Sequence, residues 1–141
     1  MLTGKQMVRR LVTEVINGGH LELVDRLYVP ALADRVRGWI GAFREAFPDV
    51  HMDIVELIAE PAPGAVGEVT VVGRFTCSGT HTGTWRGHSP TGRRFTGIDE
   101  VGIYRLADGR IVEAWTLEDT LTRLQQLGLP APSPDAMETR S

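Results

Sequence analysis

The sequence has little of what marks a disulfide-linked, membrane or nucleic-acid-binding protein. Its one cysteine, Cys77, cannot form an internal disulfide. No apolar run is long enough to cross a bilayer, and Arg9 and Arg10 interrupt the apolar core that a secretory signal needs. The net charge of −3 argues against a polyanionic partner. We therefore expect a cytoplasmic protein that binds neither membranes nor nucleic acid.

Signals for metals and organic cofactors are also missing. None of the four histidines has a metal-ligand spacing to another. The glycine-rich stretches join strands, so none forms a phosphate-binding loop at the start of a helix. The sequence therefore predicts no metal site and no cofactor.

Apolar residues follow a helical period first and a strand period afterwards. Pro30 marks a break between the second and third helices, and apolar and polar residues alternate from Val50 onwards. The alternation shifts near Ile54, which predicts a β-bulge, and the Asp108-Gly109 pair predicts a hairpin. The predicted segments are helices around 7–16, 21–28 and 36–47, strands around 50–57, 66–80, 94–106 and 111–117, and a closing helix from 117 that ends at Gly128.

This order predicts an α+β fold in which N-terminal helices pack on a strongly curved antiparallel sheet that encloses a cavity. Such a cavity can hold a small apolar ligand. The length of 141 residues suits one domain, which we place at 1–128. Residues 129–141 are rich in proline and small polar residues, which predicts a disordered tail.

Four sequence motifs carry a family resemblance. They are GTHTGTWRGHSPTGRRF from Gly79 to Phe95, FPDV from Phe47 to Val50, DGRIVEAW from Asp108 to Trp115, and LQQLG from Leu124 to Gly128. In order and spacing these motifs resemble the SnoaL-like polyketide cyclases. That family has an α+β cone fold, which it shares with ketosteroid isomerase and scytalone dehydratase.

The resemblance implies an intramolecular aldol reaction on a small hydrophobic, polyketide-like carbonyl compound, without a cofactor. In such chemistry a carboxylate removes a proton next to a carbonyl, and nearby donors stabilise the enolate. The family's acid/base aspartate lies about seven residues beyond the hairpin glycine, where this chain has Thr116. A second polar position of the family corresponds to Gly102. A threonine can form hydrogen bonds but cannot act as a base near neutral pH.

Glu100 is the preferred substitute base, because it shares a strand face with Gly102. On that face Gly102, Ala114 and Thr116 form a patch of small side chains, which we expect to widen the cavity. Asp119 is a weaker candidate at the cavity mouth. Together with Glu118, it is expected mainly to cap the closing helix.

Other side chains could contact the substrate. His81 lies in the THTG motif and could exchange a proton with a carbonyl, or else fix the following turn through a structural hydrogen bond. Arg74 interrupts an apolar strand and should meet a carboxylate such as Glu100, or the substrate. Trp39 and Trp85 could line the pocket or pack in the core.

Three functions remain open at this point. The first is a polyketide cyclase, the second is a polyketide hydroxylase that works with a reductase, and the third is a non-catalytic domain that binds a small molecule. A homodimer is also expected, because a single curved sheet leaves its outer face exposed. Ile111 and Trp115 are predicted to lie on that outer face.

Overall fold

The computed structural model describes residues 2–61 and 67–132. It confirms the α+β fold, with the helices first and a four-stranded antiparallel sheet after them. The elements are α1 (Gly4–Arg10), a π-helical segment (Leu11–Ile16), a 3₁₀ turn (Leu21–Leu23), α2 (Val24–Leu27), α3 (Pro30–Ala46), β1 (His51–Pro61), β2 (Glu68–Thr80), β3 (Arg94–Ala107), β4 (Arg110–Glu118) and α4 (Thr120–Leu127).

The first helices are set by local signals. Thr3 and Gln6 form a capping box at the start of α1, in which each side chain accepts a hydrogen bond from the other's backbone N–H. Pro30, which was expected to separate two helices, instead begins α3. The first turn of a helix tolerates proline because its backbone N–H would have no intrahelical partner there. Tyr28, just before it, pairs with Ile111 at the edge of the sheet.

The sheet has the strand order β1-β2-β3-β4. The predicted bulge in β1 is confirmed by a register shift between Ile54 and Glu56. The predicted hairpin at Asp108-Gly109 is confirmed as well, and both residues have positive φ angles of 52° and 78°, as a tight hairpin turn requires. The core lies between the helices and the inner face of this sheet.

A second irregularity, near the hairpin, reverses the side-chain directions in β4. Leu106 pairs with Ile111, whereas Arg105 pairs with Glu113, so one residue of β4 is extra. Ile111 is therefore fully buried on the inner face, while Trp115 lies on the outer face and is 52% exposed. The prediction that these two residues share the outer face is wrong.

The closing helix is shorter at its start than predicted. Leu117 belongs to β4, and Asp119 caps α4 by accepting a hydrogen bond from the backbone N–H of Thr122. Gly128 ends the helix with a φ angle of 72°. Leu129 still packs against the core, and residues 133–141 of the predicted tail lie outside the described residues. No helix in the described ranges is long and apolar enough to cross a membrane.

Two of the shared motifs hold the ends of the strands together. In the FPDV motif, the Asp49 carboxylate accepts hydrogen bonds from the backbone N–H and the hydroxyl of Thr80, both at 2.7 Å. In the LQQLG motif, the Gln126 side chain accepts from the backbone N–H of Thr96 and donates to its carbonyl oxygen. The second pair of bonds fixes α4 against β3.

The THTG motif packs against the end of α3. The backbone N–H groups of Thr82 and Gly83 both donate to the carbonyl oxygen of Ala46 at 3.0 Å. A Cβ atom at Gly83 would lie 2.2 Å from the carbonyl oxygen of Glu45, which is backbone and cannot rotate away. The position therefore requires glycine because of the close backbone approach.

We predict that Gly83→Ala destabilises the fold by roughly 1–3 kcal/mol or more, since the added methyl group must push two backbone segments apart. Gly38→Ala is the matched control, because nothing lies within 4 Å of a Cβ at this position in α3. The control should raise stability by up to about 1 kcal/mol through helix propensity. Urea unfolding of both variants measures the difference, and equal stabilities would contradict the packing argument.

Candidate active site

A cavity lies between the N-terminal helices, the inner face of the sheet and α4. Its empty space is about 350 Å³ with the open mouth included. Most of the wall is apolar and is formed by Ile16, Trp39, Ile40, Phe43, Val50 and Met52. The remaining wall residues are Arg44, Cys77, Glu100, Glu118 and Arg123. An apolar pocket with a few ionisable groups at one end is typical of a small-molecule site.

Glu100 projects from β3 into this cavity and is only 6% exposed. Burial raises the pKa of its carboxyl group from 4.5 to about 7, and the nearby Glu118 adds to the rise, while Arg123 opposes it. Within the described residues the carboxyl group takes part in no hydrogen bond and no ion pair. A carboxyl group that titrates near neutral pH can both accept and return a proton.

Glu118 is the second carboxylate of the cavity. It was expected to cap the closing helix, which is wrong: β4 continues through Glu118, and Asp119 is the cap. Glu118 pairs directly with Glu100 across the two strands, and the two side chains point to the same face. It also lies two residues beyond Thr116, on the same face. The last strand thus carries a carboxylate two residues beyond the position at which the resemblance implies the family aspartate.

Arg123 is the residue of this site that the sequence analysis missed. It lies on α4, is 1% exposed, and forms an ion pair in which Nη1 is 2.5 Å from Oε2 of Glu118. Its guanidinium carbon is 5.0, 5.7 and 4.7 Å from the ring centres of Phe43, Trp85 and Phe95, respectively. The sequence feature that could have indicated its burial is helical spacing, which places Arg123 on the same buried face of α4 as Thr120, Leu124 and Leu127.

Two further wall residues have simpler properties. Burial raises the pKa of the Cys77 thiol to about 12, so this side chain stays protonated and is no nucleophile near neutral pH. Trp39 lies at the cavity mouth, where it is 52% exposed and stacks on Phe43 with 6.1 Å between the ring centres. Of the two tryptophans that were candidates for the wall, Trp39 therefore lies in it.

His81 and Trp85 pack beside the cavity but not in its wall. The Nδ1 atom of His81 accepts a hydrogen bond from the backbone N–H of Thr91 and lies 3.1 Å from its hydroxyl. Burial lowers the pKa of the imidazole. Both rings pack against Phe47. The hydrogen bonds that fix the turn fit the structural alternative for His81. Both residues were candidates for contact with the substrate, but neither lies in the cavity wall.

Arg74 and Asp119 also lie away from the cavity. Arg74 pairs with Val101, so it points to the outer face of the sheet, opposite to Glu100. Its Nη2 atom lies 3.5 Å from the carboxylate of Asp99, which replaces the predicted contact with Glu100. The Asp119 side chain is exposed and accepts hydrogen bonds from Thr122 that lower the pKa of its carboxyl group. Neither residue lines the cavity.

The predicted patch of small side chains does not widen the cavity. A Cβ atom at Gly102 would lie 2.7 Å from the Tyr104 ring, because that ring folds back over the glycine and fills the space. Ala114 and Thr116 share the inner face of the sheet, but they lie on the edge strand β4 and are exposed. The cavity instead lies nearer the closing helix.

The described residues contain no group of three or more His, Cys, Asp or Glu side chains that could hold a metal ion. The ionisable residues of the cavity wall include two carboxylates and two arginines. Such a set can move protons and stabilise developing charge on a carbonyl oxygen.

Comparisons with known proteins agree with this fold. Aklanonic acid methyl ester cyclase DnrD from Streptomyces peucetius is 31% identical over 123 residues, which cover 86% of this chain and 77% of DnrD. The structure of IdmH from Streptomyces antibioticus, assigned as a polyketide cyclase, matches with a TM-score of 0.72 at 26% identity, covering 89% of this chain and 98% of IdmH. AclR from Streptomyces galilaeus, assigned as a hydroxylase, matches with a TM-score of 0.73 at 26% identity, covering 95% of this chain and 87% of AclR.

The sequence pattern of the SnoaL-like polyketide cyclases matches residues 6–127, which include every element from α2 to α4. The chain therefore belongs to the SnoaL-like polyketide cyclase family.

Proposed function

We propose that this protein closes a ring in an aromatic polyketide intermediate by an intramolecular aldol reaction, with Glu100 as the acid/base residue. The observation that carries this proposal is the burial of Glu100 in the cavity, with a pKa of about 7. A base works best when its pKa lies near the operating pH. Of the cavity carboxylates, Glu118 has Arg123 as an ion-pair partner, which leaves Glu100 as the group for proton transfer.

The proposed reaction conserves all atoms of the substrate. The Glu100 carboxylate takes a proton from a carbon next to a carbonyl, and the electron pair of the broken C–H bond forms an enolate. The enolate carbon then attacks a second carbonyl of the same molecule, which forms a C–C bond and an alkoxide. Glu100 returns its proton to the alkoxide, so the product is an isomer of the substrate.

The similarity to aklanonic acid methyl ester cyclase DnrD supports aklanonic acid methyl ester, or a related polyketide ester, as the substrate. The empty space of about 350 Å³ includes the open mouth, so the enclosed part of the cavity is smaller than this volume. We infer that the reacting part of the substrate enters the cavity while the remaining rings extend past Trp39 at the mouth. The chain would act in the cytoplasm, as expected from its sequence.

The resemblance to AclR favours hydroxylation as the second candidate. The threonine at position 116 supports this alternative, because the family's acid/base aspartate is absent there. Product mass separates the two reactions, since aldol closure leaves the mass unchanged and hydroxylation adds one oxygen atom. A binding domain without activity would retain the ligand and form neither product.

We predict that Glu100→Gln lowers the rate of ring closure by about 10²–10⁴-fold, because the amide keeps the shape but cannot accept the proton. Chromatography of aklanonic acid methyl ester incubated with each protein measures the rate. The activity of the unmodified enzyme should also fall as the pH drops below about 7, since Glu100 must be ionised to act as a base.

Asp99→Asn is the matched control for this experiment. Asp99 precedes Glu100 in β3 but faces outwards beside Arg74, so its amide variant should retain the parent rate. Full activity of Glu100→Gln would rule out the assignment of the base.

The raised pKa of Glu100 also predicts how stability depends on pH. The folded protein holds this proton up to about pH 7, whereas the unfolded chain loses it near 4.5. Glu100 therefore favours folding below the lower value, and this contribution is lost as the pH rises through about 7. Relative to Glu100→Gln, the parent protein should lose up to about 3 kcal/mol of unfolding free energy over this window. Denaturant unfolding across the window measures the loss, and parallel curves would contradict the pKa shift.

We further propose a homodimer that forms through the outer face of the sheet. Ile58, Val72, Ile103 and Trp115 face each other in register and form one apolar row across all four strands. Arg105 and Glu113 lie beside this row, 3.6 Å apart. Charges of both signs beside an apolar row can match those of a second copy related by a two-fold axis.

Trp115→Lys should convert this dimer to a monomer, because the lysine charge would be buried at the centre of the interface. Sedimentation velocity at micromolar concentrations measures the mass. Leu121→Lys is the control, since Leu121 is similarly exposed but lies on α4, away from the sheet face. A monomeric parent protein, or a Trp115→Lys variant that remains dimeric, would contradict the proposal.

A further inference from the structure

We propose that Arg123 binds an anionic oxygen of the ligand inside the cavity, so that the site selects compounds that present an enolate or a carboxylate beside Glu100. This inference rests on the proposed function for the position of the reacting group. It adds a specific binding residue that the four shared motifs do not contain.

The first observation is that Arg123 has an unused hydrogen-bond donor in a buried position. Its Nη1 atom lies 2.5 Å from a Glu118 oxygen, but its Nε atom is buried and has no hydrogen-bond partner within the described residues. Each buried donor without an acceptor costs about 1–3 kcal/mol. Such groups are rare in folded proteins and call for an explanation. An anionic ligand oxygen would supply the missing acceptor.

The second observation concerns what surrounds the guanidinium. The rings of Phe43, Trp85 and Phe95 lie within 5.7 Å of its central carbon and exclude water from it. Without water, the attraction between a cation and an anion is much stronger than at the surface. Phe43 and Arg123 both line the cavity, so a ligand can reach this part of the site.

The third observation is the balance of charge in the cavity. Arg44 is the other wall cation, but its Nη1 atom already donates to the carbonyl oxygens of Ile16 and Asn17. When Glu100 takes a proton from the substrate, the negative charge moves from its carboxylate to the substrate oxygen. Arg123 interacts electrostatically with Glu100 before this step. If the enolate oxygen lies next to Arg123, the negative charge stays beside the same cation during the proton transfer. This lowers the free-energy cost of the transfer.

A purely structural role makes a different prediction. Arg123 could serve only to tie α4 to β4 through Glu118, in which case its loss would change stability but not the preference for anionic ligands.

A matched pair of ligands separates the roles. We choose 2-naphthoate and methyl 2-naphthoate, which share an aromatic body but differ in charge, and we measure binding by tryptophan fluorescence at about pH 6, where Glu100 is mostly protonated.

Arg123→Gln should weaken the binding of 2-naphthoate by at least about 10-fold and leave that of its methyl ester within about two-fold. Arg9→Gln, on the exposed side of α1, should change neither. A second variant covers the case in which Arg123→Gln does not fold. Glu118→Gln removes the ion-pair partner of Arg123, so it should strengthen the binding of 2-naphthoate several-fold. Unchanged preference for the carboxylate in the variants that fold would overturn the proposal.

A second probe tests the enolate. The neutral and enolate forms of 1,3-indandione are distinguished by their absorption spectra, so the pKa of the bound compound can be measured directly. Binding to the parent protein should lower that pKa, and Arg123→Gln should abolish the effect. If only the binding of 2-naphthoate depends on Arg123, the ligand group is a carboxylate. If only the pKa shift of bound 1,3-indandione depends on Arg123, the ligand group is an enolate. If both effects depend on Arg123, it binds either anion, and if neither effect depends on it, the proposal is overturned.

These measurements use binding, so they are independent of turnover. Full activity of Glu100→Gln would contradict the proposed function, while the anion preference of the Arg123 variants could still hold. Conversely, ring closure that depends on Glu100 together with an unchanged anion preference in Arg123→Gln would reject this inference alone.

Discussion

The buried charge of Arg123 is the constraint on which the polar end of the cavity depends. A guanidinium that is 1% exposed needs a counter-charge, and Glu118 supplies it from the neighbouring strand. This ion pair fixes the end of β4 beside the start of α4. Because Glu118 is paired in register with Glu100, the position of Glu100 follows from the same contact. The closing helix is thus part of the site rather than only a cover for the sheet.

The motifs shared with the family fix the backbone frame around this site. Asp49 joins FPDV to the end of β2, Gly83 allows the THTG turn to approach α3, and Gln126 attaches α4 to β3. None of these three residues lines the cavity. In this chain the backbone frame and the ionisable groups inside it are therefore set by different residues. A fold of this kind can serve different reactions, and the structures it resembles are assigned as a cyclase and as a hydroxylase.

Local signals in the sequence predicted the order of the elements, the bulge near Ile54 and the hairpin at Asp108-Gly109. They failed where the direction of a side chain depends on the pairing between strands that are distant in sequence. Arg74 was expected to meet Glu100, but the register of β2 against β3 places it on the opposite face, beside Asp99. Ile111 was placed outside because a bulge near the hairpin leaves no clear mark in the sequence. Side-chain direction in a strand reverses with a shift of one residue, so small errors of register move a residue across the sheet.

The same reasoning explains why the inward direction of Glu100 was predicted while the roles of Glu118 and Arg123 were missed. Glu100 lies in the middle of a regular part of β3, where alternation alone predicts its inward direction. Glu118 lies at the boundary between β4 and α4, and one residue decides whether it caps a helix or enters a cavity. Arg123 requires the packing of α4 against the sheet to be known, because an arginine on a helix is normally exposed. Thr116 therefore does not leave the inner face of β4 without a carboxylate, since Glu118 follows two residues later. The last strand carries its carboxylate at Glu118, and Arg123 holds that carboxylate in an ion pair, which leaves Glu100 on the next strand to titrate near neutral pH.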